Sequence, residues 1–287
     1  MTVFQPSTVA AKPLSGDLSA ADYQYLCDFL KARSGLALSQ EKVYLVENRL
    51  LPVARENSLK SVGELVSALR AGRTGLATQV VNAMVTHETF FFRDGKPFDA
   101  FKDYMLPSIM QNNEKTRRIN IWCAACSSGQ EPYTLSMIMH EKKELASWNI
   151  EVLGTDISAP IIERAKSGHF TQFEVQRGLP VQMLVKYFKQ VESDWQINPE
   201  MRKHIRFQIL NLLDDFKNLG RFDLVCCRNV LIYFDPPTKT RILENIAKVL
   251  QPHGFLVLGG SETVLGLSHL YEVAEGRRGI YKLVGGA

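Results

Sequence analysis

The sequence predicts an α/β protein in which a mostly parallel, Rossmann-like sheet of seven strands follows a purely helical N-terminal domain. Before residue 89 the apolar positions recur only at helical spacing, whereas from Ile119 onward short apolar runs alternate with helical segments. Such alternation favours a parallel sheet covered by helices on both faces. The aromatic-rich stretch of about 168–205 fits neither rhythm and is too long for an ordinary loop, which predicts a small inserted subdomain.

The N-terminal domain is expected to span residues 18–88, behind a flexible arm of residues 1–17 that shows no periodicity. Ser, Asp and Glu residues at capping positions and glycines at the ends delimit its helices. Pro52 lies within the second of them and predicts a kink or break there. The helices are expected near residues 19–34, 40–56, 61–71 and 76–85.

The second domain is expected to span residues 89–287. Helices are predicted near residues 130–145, 158–166 and 236–250. Residues 271–273 and 279–284 can pair as an antiparallel hairpin at the edge of the sheet. The remaining strands are predicted near residues 119–124, 150–155, 204–210, 222–228 and 254–259.

The stretch from Ile119 to Tyr133, INIWCAACSSGQEPY, carries the main functional signal. An apolar strand breaks into a turn of small residues, and a helix begins at Gln130. In a nucleotide-binding α/β sheet, small residues at this turn let a cofactor approach the backbone. The dinucleotide pattern GxGxxG is absent, which argues for a nucleoside ligand rather than a pyrophosphate.

A second apolar run, residues 150–155, ends in Asp156. An acidic residue at the end of the second strand usually accepts hydrogen bonds from both ribose hydroxyls. Together with the small-residue turn, Asp156 is typical of a class I S-adenosylmethionine (AdoMet) methyltransferase. The alternative is that Asp156 only caps the helix that begins near Ser158.

Composition restricts the classes of protein further. Hydrophobic residues make up 45% and charged residues 22%, as in ordinary globular proteins, and no apolar run reaches the roughly 20 residues of a membrane helix. The N-terminus lacks the pattern of a signal peptide, so a cytoplasmic protein is predicted. Five cysteines within mostly apolar runs favour reduced, buried thiols, and the net charge of +4 gives no reason to expect nucleic-acid binding.

Six ordered motifs stand along the chain: HETFFFR at 87–93, SSGQEPYT at 127–134, GTDIS at 154–158, NLL at 211–213, CRNVLIYF at 227–234 and GGSE at 259–262. With these motifs the chain resembles the chemotaxis receptor glutamate O-methyltransferases, the CheR family, from about residue 19 to 284. The resemblance implies a four-helix N-terminal domain, a class I methyltransferase domain with an inserted β-subdomain, and AdoMet-dependent formation of glutamyl methyl esters by direct in-line transfer.

The resemblance also implies the residues of the site. The implied catalytic residues are Arg93, which matches a motif arginine that contacts the cofactor and the substrate side, and Tyr233, which matches the segment after the fourth strand. His87 stands where the family typically has Asn. On the second helix, Arg49 and Arg55 match basic positions that in the family approach the receptor. The implied cofactor-binding residues are His87, Thr89, Arg93, Ala125, Glu131, Asp156, Asn211, Leu212, Arg228 and Asn229.

The resemblance implies as partners the cytoplasmic helical bundles of methyl-accepting chemotaxis receptors, with recruitment of a monomeric enzyme to membrane receptor arrays. No metal and no nucleic acid is expected. Residues 1–88 carry nine Lys or Arg against eight Asp or Glu, so an acidic partner must meet a local basic face, such as that of Lys42 and Arg49. Recognition is predicted not to need a receptor tail peptide at the inserted subdomain.

Methyl transfer to a glutamate side chain needs no general base. A glutamate side chain titrates near pH 4.3 and is ionised at neutral pH, so it can attack a sulfonium methyl directly. Orientation and exclusion of water should therefore supply most of the acceleration. Arg93 is a candidate clamp for the acceptor carboxylate, or alternatively for the carboxylate of the cofactor itself. Tyr233 is a candidate for orienting the attacking oxygen or facing the sulfonium.

Several residues have simpler interpretations. Phe90, Phe91 and Phe92 could only pack between the helical domain and the sheet. Arg93 could form a surface pair with the adjacent Asp94. Glu131 could simply be an acidic residue that the helix dipole stabilises near the helix start. Tyr233 and Phe234 could anchor the loop before Pro236.

Two other functions are open. Trp122 to Cys126 has the form WCxxC of a thiol-disulfide oxidoreductase. A zinc site is disfavoured, because it would require a second ligand pair and the adjacent Cys226 and Cys227 point to opposite faces of a strand. The helical domain could also belong to a scaffold without enzymatic activity that binds helices.

Overall fold

The computed structural model describes residues 18–286, so the predicted arm of residues 1–17 lies outside the described residues. The chain divides between Val85 and Thr86 into two compact units. The division falls three residues before the predicted boundary at 88. Within residues 18–286, every helix is too short or too polar to cross a bilayer.

The N-terminal unit is a bundle of four helices. Ser19 accepts a hydrogen bond from the backbone N–H of Asp22 at 3.1 Å, and Gly35 ends the first helix with φ of +78°. Pro52 lies inside the second helix, which continues to Glu56, so the expected break does not occur. The helices are α1 (Ala20–Ser34), α2 (Val43–Glu56), α3 (Val62–Arg70) and α4 (Leu76–Met84), with a short 3₁₀ turn at Gln40–Lys42.

The second unit contains a seven-stranded sheet and a separate three-stranded sheet. The strands are β1 (Arg118–Ala124), β2 (Asn149–Asp156), β3 (His169–Thr171), β4 (Phe188–Val191), β5 (Asp194–Ile197), β6 (Ile205–Ile209), β7 (Phe222–Cys227), β8 (Leu250–Leu258), β9 (Tyr271–Val273) and β10 (Ile280–Leu283).

The large sheet has the order β6-β2-β1-β7-β8-β10-β9. The five strands from β6 to β8 are parallel, and β10 pairs antiparallel with both β8 and β9, so the predicted edge hairpin is confirmed. From β1 the chain moves first towards β2 and β6 and later returns to β7 on the other side. This reversal creates a crevice at the carboxyl ends of β1 and β7, which is where open α/β sheets bind ligands.

Helices cover both faces of the sheet. On β1, the side chains of Ile121 and Cys123 belong to one buried apolar cluster, and those of Trp122 and Ala124 belong to another, as the alternation of a strand requires. The helices of this unit are α5 (Lys96–Ala100), α6 (Leu106–Asn112), α7 (Gln130–His140), α8 (Ala159–Ser167), α9 (Gln172–Gln176), α10 (Val181–Tyr187), α11 (Pro199–Arg202) and α12 (Pro236–Val249).

The sequence analysis missed the helical segment before β1. There α5 and α6 are joined by a π-helical turn at Phe101–Met105. This segment buries Phe98, Phe101 and Ile109 against one face of the sheet. Its apolar burial thus completes a layer that the alternating pattern after Ile119 does not reveal.

The inserted subdomain is the small antiparallel sheet with the order β3-β5-β4, confirming the expected β-subdomain. Its core contains Phe170, Tyr187 and Phe188. Phe91 enters this core, with its ring centroid 4.9 Å from that of Phe170 and 5.5 Å from that of Phe188. The segment around Phe91 therefore joins the inserted subdomain to the large sheet.

Candidate active site

The predicted residues of the second unit gather around the carboxyl ends of the parallel strands. Ala125 follows β1, Asp156 ends β2, and Arg228 follows β7. Asn211 and Leu212 come just after β6, where the N–H of Leu210 bonds to the carbonyl of Asp156 at 2.9 Å. Because parallel strands end at the same edge, these positions share one rim although they are far apart in the sequence.

The turn after β1 has an unusual backbone. Ala125 and Ser127 adopt positive φ values of +57° and +50°, and Gly129 has φ of +92°. A Cβ at Gly129 would lie 3.1 Å from the ring of Tyr133 and 3.2 Å from both Ala165 and Phe207, so glycine is required there for conformation and for space. Strained non-glycine residues of this kind concentrate at functional sites.

Asp156 fixes this turn. Its carboxylate accepts a hydrogen bond from the N–H of Ser127 at 3.0 Å and another from the N–H of Ser158 at 3.1 Å. The bond to Ser158 matches the simpler capping interpretation, but the bond to Ser127 ties β2 to the turn after β1. Each oxygen retains acceptor capacity, since an ionised carboxylate has about four acceptor sites.

Burial raises the pKa of Asp156 above its usual range, although the hydrogen bonds from Ser158 and Ser127 and the nearby His87 oppose this shift. Only 6% of the residue is exposed. A buried carboxylate with spare acceptor sites gains from hydroxyl donors, so the position suits a diol such as a ribose.

Arg228 is the centre of a buried polar network. Its guanidinium donates to Glu131 at 2.6 Å, to Asp94 at 2.9 Å and to the carbonyl oxygen of Arg93 at 2.8 Å. Its side chain is 4% exposed and lies over the ring of Phe98, 5.3 Å from the centroid. Burial alone would lower the pKa of Arg228, but the Glu131 carboxylate more than offsets this and raises it. Arg228 therefore joins the end of β7, the start of α7 and the loop before α5.

Glu262 was part of a recognised motif, GGSE, but received no role in the sequence analysis. Its carboxylate accepts hydrogen bonds from the N–H groups of Asn229 and Gly259, both at 2.7 Å, and of Ile232 at 3.2 Å. Asn229 has φ of +57° and needs such support. A Cβ at Gly259 would approach the Glu262 carboxylate to 2.7 Å, which explains the glycine. Glu262 thus holds the loop after β7 in place.

The segment 87–93 is attached to the same rim. The carbonyl of His87 accepts a hydrogen bond from the hydroxyl of Ser127 at 2.8 Å, and Arg93 donates to the carbonyl of Glu88 at 2.7 Å. Thr89 and His87 border a cavity of about 330 Å³ on the side of the inserted subdomain. The structure therefore brings His87 and Thr89 next to the turn after β1, and the carbonyl oxygen of Arg93 to Arg228 after β7.

Arg93 and Tyr233 are both half-buried. The guanidinium of Arg93 lies 5.5 Å from the ring centroid of Phe90, and Asp94 pairs with Arg228, so the alternative surface pair of Arg93 with Asp94 does not form. The Tyr233 hydroxyl has no hydrogen-bond partner among residues 18–286. Phe234 is buried, and Asp235 caps α12 by accepting from Thr238 at 3.0 Å, so this loop is indeed anchored before the helix.

The aromatic side chains 90–92 pack, but not only as expected. Phe91 is buried against the inserted subdomain, and Phe92 lies 5.7 Å from the ring of Phe98. Phe90 instead stacks against the guanidinium of Arg177, 4.4 Å from the ring centroid. The inserted subdomain therefore provides contacts that the prediction placed between the helical domain and the sheet.

The WCxxC segment lacks the properties of a redox site. Cys123 and Cys126 are buried, and burial raises the pKa of both thiols well above the usual range. Reactive thiols are exposed and have a lowered pKa. Cys123 and Cys226 bring their sulfur atoms within 4.8 Å of each other and of a Glu131 oxygen, but Glu131 is already bound to Arg228. These thiols therefore pack in the core of the sheet.

In the N-terminal unit, Arg49 is partly engaged within its own domain. Its guanidinium donates to the carbonyl of Met84 at 2.6 Å and to that of Val85 at 3.3 Å, which satisfies the end of α4. Arg55 is exposed on α2, and Lys42 is exposed in the 3₁₀ turn before it. Of these three basic residues, Lys42 and Arg55 are therefore the two that are exposed to solvent.

The fold and the site together define an AdoMet-dependent class I methyltransferase. Residues 87–280 match the family described as CheR methyltransferase, SAM binding domain, and residues 21–85 match its all-alpha domain. The chain belongs to the CheR methyltransferase family, and its cofactor is AdoMet.

Curated relatives agree with this assignment. The chain is 40% identical to chemotaxis protein methyltransferase 1 of Pseudomonas aeruginosa over 265 residues, which covers 91% of this chain and 96% of the relative. It is 39% identical to chemotaxis protein methyltransferase Cher2 of Pseudomonas putida, covering 90% and 96%. Identity to chemotaxis protein methyltransferase 1 of Vibrio cholerae is 35%, covering 93% and 98%.

Proposed function

We propose that this enzyme methylates glutamate side chains on the cytoplasmic helical bundles of chemotaxis receptors, forming glutamyl methyl esters that serve chemotactic adaptation. The carrying observation is the convergence of Asp156, the turn after β1 and the Arg228 network at one rim. The names of the chemotaxis relatives support the choice of receptor substrates.

The residues at this rim fit AdoMet. Asp156 is suited to the ribose hydroxyls, and Glu131 offers a carboxylate at the start of α7 for the amino group of the methionine portion. Asn211 and Leu212 would border the adenine, while Ala125, Arg228 and Asn229 would shape the turns that face the cofactor. His87 and Thr89 would close the site from the preceding segment. When bound, AdoMet supplies an electrophilic methyl group on a sulfonium.

The acceptor side is formed by Arg93 and Tyr233. One guanidinium nitrogen of Arg93 is held by the Glu88 carbonyl at 2.7 Å, which orients the fork for a carboxylate. The unpartnered Tyr233 hydroxyl can donate to a carboxylate oxygen and so direct the other oxygen at the methyl group. Since the acceptor is already ionised at neutral pH, these residues need only orient it and exclude water.

The receptor would also contact the basic positions of the N-terminal domain. Arg55 and Lys42 are exposed for this, and Arg49 lies on the same helix as Arg55. The enzyme would then act as a cytoplasmic monomer that is recruited to membrane receptor arrays, without requiring a receptor tail peptide. Tight binding of such a peptide in calorimetry would contradict the last point.

Methyl transfer from radiolabelled AdoMet to a panel of purified receptor cytoplasmic domains tests the function. We expect label on the receptor that base releases as methanol, as an ester requires. Arg93→Ala and Tyr233→Phe should lower the rate at saturating AdoMet, whereas Lys217→Ala, at an exposed position outside the rim, should not. Base-stable label, or no label on any receptor, would refute glutamate esterification.

A further inference from the structure

A cavity of about 440 Å³ lies beside the rim, between the start of α5 and the carboxyl end of β8. It shares walls with the site, because Asp94 binds Arg228 and Glu262 binds Asn229. Asp156 and Asn211 lie on the other side of β1, at the ends of β2 and β6. The cavity is therefore on the side of the rim away from Asp156 and Asn211, next to the Arg228 network.

Part of the lining of this cavity is apolar. It consists of Pro97 and Ala100 from α5, Val257 and Leu258 from β8, and Ile280 from β10. Its volume is in the range of cavities that hold a small ligand or a few side chains. A lining that combines apolar and cationic side chains suits part of an amphipathic helix better than a fully charged ligand.

More cationic than acidic side chains line this cavity. The two acidic groups that line it are already engaged, Asp94 by Arg228 and Glu262 by three backbone N–H groups. Lys96 and Arg278 are exposed, and their side chains have no hydrogen-bond or ion-pair partner among residues 18–286.

Arg277, the third cation, is partly engaged. It lies 3.6 Å from Glu275 in an exposed pair and 4.1 Å from the ring centroid of Tyr104. Lys96 and Arg278 therefore remain as two uncommitted positive groups in the lining, one on α5 and one in the turn between β9 and β10.

We infer that this cavity is a docking subsite for the substrate helix, in which Lys96 and Arg278 pair with acidic side chains that flank the target glutamate. The inference rests on the proposed function and adds a determinant of which glutamates are methylated. A residue three or four positions from the target lies on the same face of a helix, roughly 5–6 Å away, so a flanking acid can reach a neighbouring subsite while the target occupies the rim.

Charge reversal at both positions tests the subsite. For the double variant Lys96→Glu/Arg278→Glu we expect KM for a receptor domain to rise by about tenfold, because exposed ion pairs contribute modestly and repulsion adds to their loss. The value of kcat at saturating receptor and the Kd for AdoMet should stay within about twofold, since neither residue contacts the cofactor rim. Lys96→Ala/Arg278→Ala provides a milder variant, with a smaller rise of KM in the same direction.

Lys115→Glu is the matched control. This exposed lysine precedes β1 at the amino ends of the strands, so it makes the same charge change as one of the two reversals, at the opposite edge of the sheet. A second arm exchanges the flanking acids of the receptor for lysines, which should raise KM for the native enzyme and restore it for the reversed one.

The outcomes separate this inference from the proposed function. If the native enzyme labels no receptor, the proposed function fails. If it labels receptors but KM is the same for the native enzyme and both double variants, or rises equally in Lys115→Glu, the subsite is refuted. Competition of the receptor by inorganic phosphate or ATP at low millimolar concentration, without any effect of the receptor charge exchange, would indicate a free anion site instead and would equally refute it.

Discussion

Arg228 and Glu131 form a buried ion pair at 2.6 Å between the end of β7 and the start of α7, with side chains that are 4% and 12% exposed. The pair spans the crevice where the strand order of the sheet reverses. Arg228 also donates hydrogen bonds to Asp94 and to the carbonyl oxygen of Arg93, in the loop before α5. One arginine therefore fixes the relative positions of three segments that would face the cofactor and the acceptor.

Removal of one partner from this pair should be costly. We expect Glu131→Gln to lower the free energy of unfolding by about 2–4 kcal/mol, because a buried guanidinium loses its main counter-charge. Urea denaturation measures the change, and Glu114→Gln, at an exposed position, is the control. Arg228→Met/Glu131→Leu should recover stability without recovering AdoMet affinity. Recovery of both properties would show that the pair has no role in binding.

Asp156 should make AdoMet binding sensitive to acid. Because burial raises its pKa, the carboxylate takes up a proton at a higher pH than an ordinary aspartate. Hydroxyl donors favour the ionised form, so the Kd for AdoMet should increase as the pH falls through this pKa. Asp156→Asn should weaken binding and abolish this pH dependence. Calorimetric titrations between pH 4.5 and 8, chosen as about the working range of Asp and His, provide the measurement.

The same residue should affect stability in the opposite direction. A folded-state pKa above the unfolded value means that the stabilising contribution is complete below the unfolded pKa and is lost as the pH rises through the folded-state pKa. Relative to Asp156→Asn, the native protein should therefore lose stability with rising pH while it gains AdoMet affinity. Parallel changes in both quantities would contradict the assigned role.

Glu262 should act as a positioning residue for the loop after β7. In Glu262→Gln the new amide N–H₂ faces backbone donors that the carboxylate now accepts, so Asn229 should lose its support. We expect AdoMet affinity to fall by about tenfold, which corresponds to one lost hydrogen bond to a charged group. The exposed Glu272→Gln on β9 serves as the control. An unchanged Kd for AdoMet in a folded Glu262→Gln protein would limit Glu262 to a role in stability.

Gly178 should be essential for the contact between the inserted subdomain and segment 87–93. It has φ of +83°, and a Cβ there would lie 2.1 Å from the carbonyl oxygen of Phe91. Gly266→Ala is the control, in a turn with φ of +73° and no atom within 4 Å. Gly266→Ala should cost about 1 kcal/mol of conformational strain, and Gly178→Ala should cost more and reduce methyl transfer. Equal melting temperatures for the two variants would refute the close contact.

The buried thiols should be inert. Cys123, Cys126 and Cys227 have a raised pKa because they are buried, so iodoacetamide should not modify them in the native protein near neutral pH. Methyl transfer should persist after treatment, and all five cysteines should react after denaturation. Mass spectrometry locates the label. Modification of Cys123 that abolishes activity while AdoMet still binds would revive the redox interpretation.

The periodicity of the sequence predicted the helical domain, the alternating sheet and its antiparallel edge. The segment at 96–112 was missed, since its short helices, broken by a π-helical turn, give little periodic signal of their own. Capping signals predicted the start of α1, whereas of the kink or break predicted at Pro52 the break is excluded, because α2 continues through it to Glu56.

For the site, the sequence by itself determined which residue types stand at the strand ends. These are the small-residue turn before α7, Asp156 at the end of β2, and Arg228 with Asn229 after β7. Only the tertiary structure decided which atoms meet. Arg228 forms ion pairs with Glu131 and Asp94, which are distant in the sequence. The Glu262 carboxylate accepts a hydrogen bond from Asn229, 33 positions away, and Phe91 packs in the core of the inserted subdomain. Chain pattern records local preference, whereas these pairings follow from the strand order that brings distant loops to one edge of the sheet.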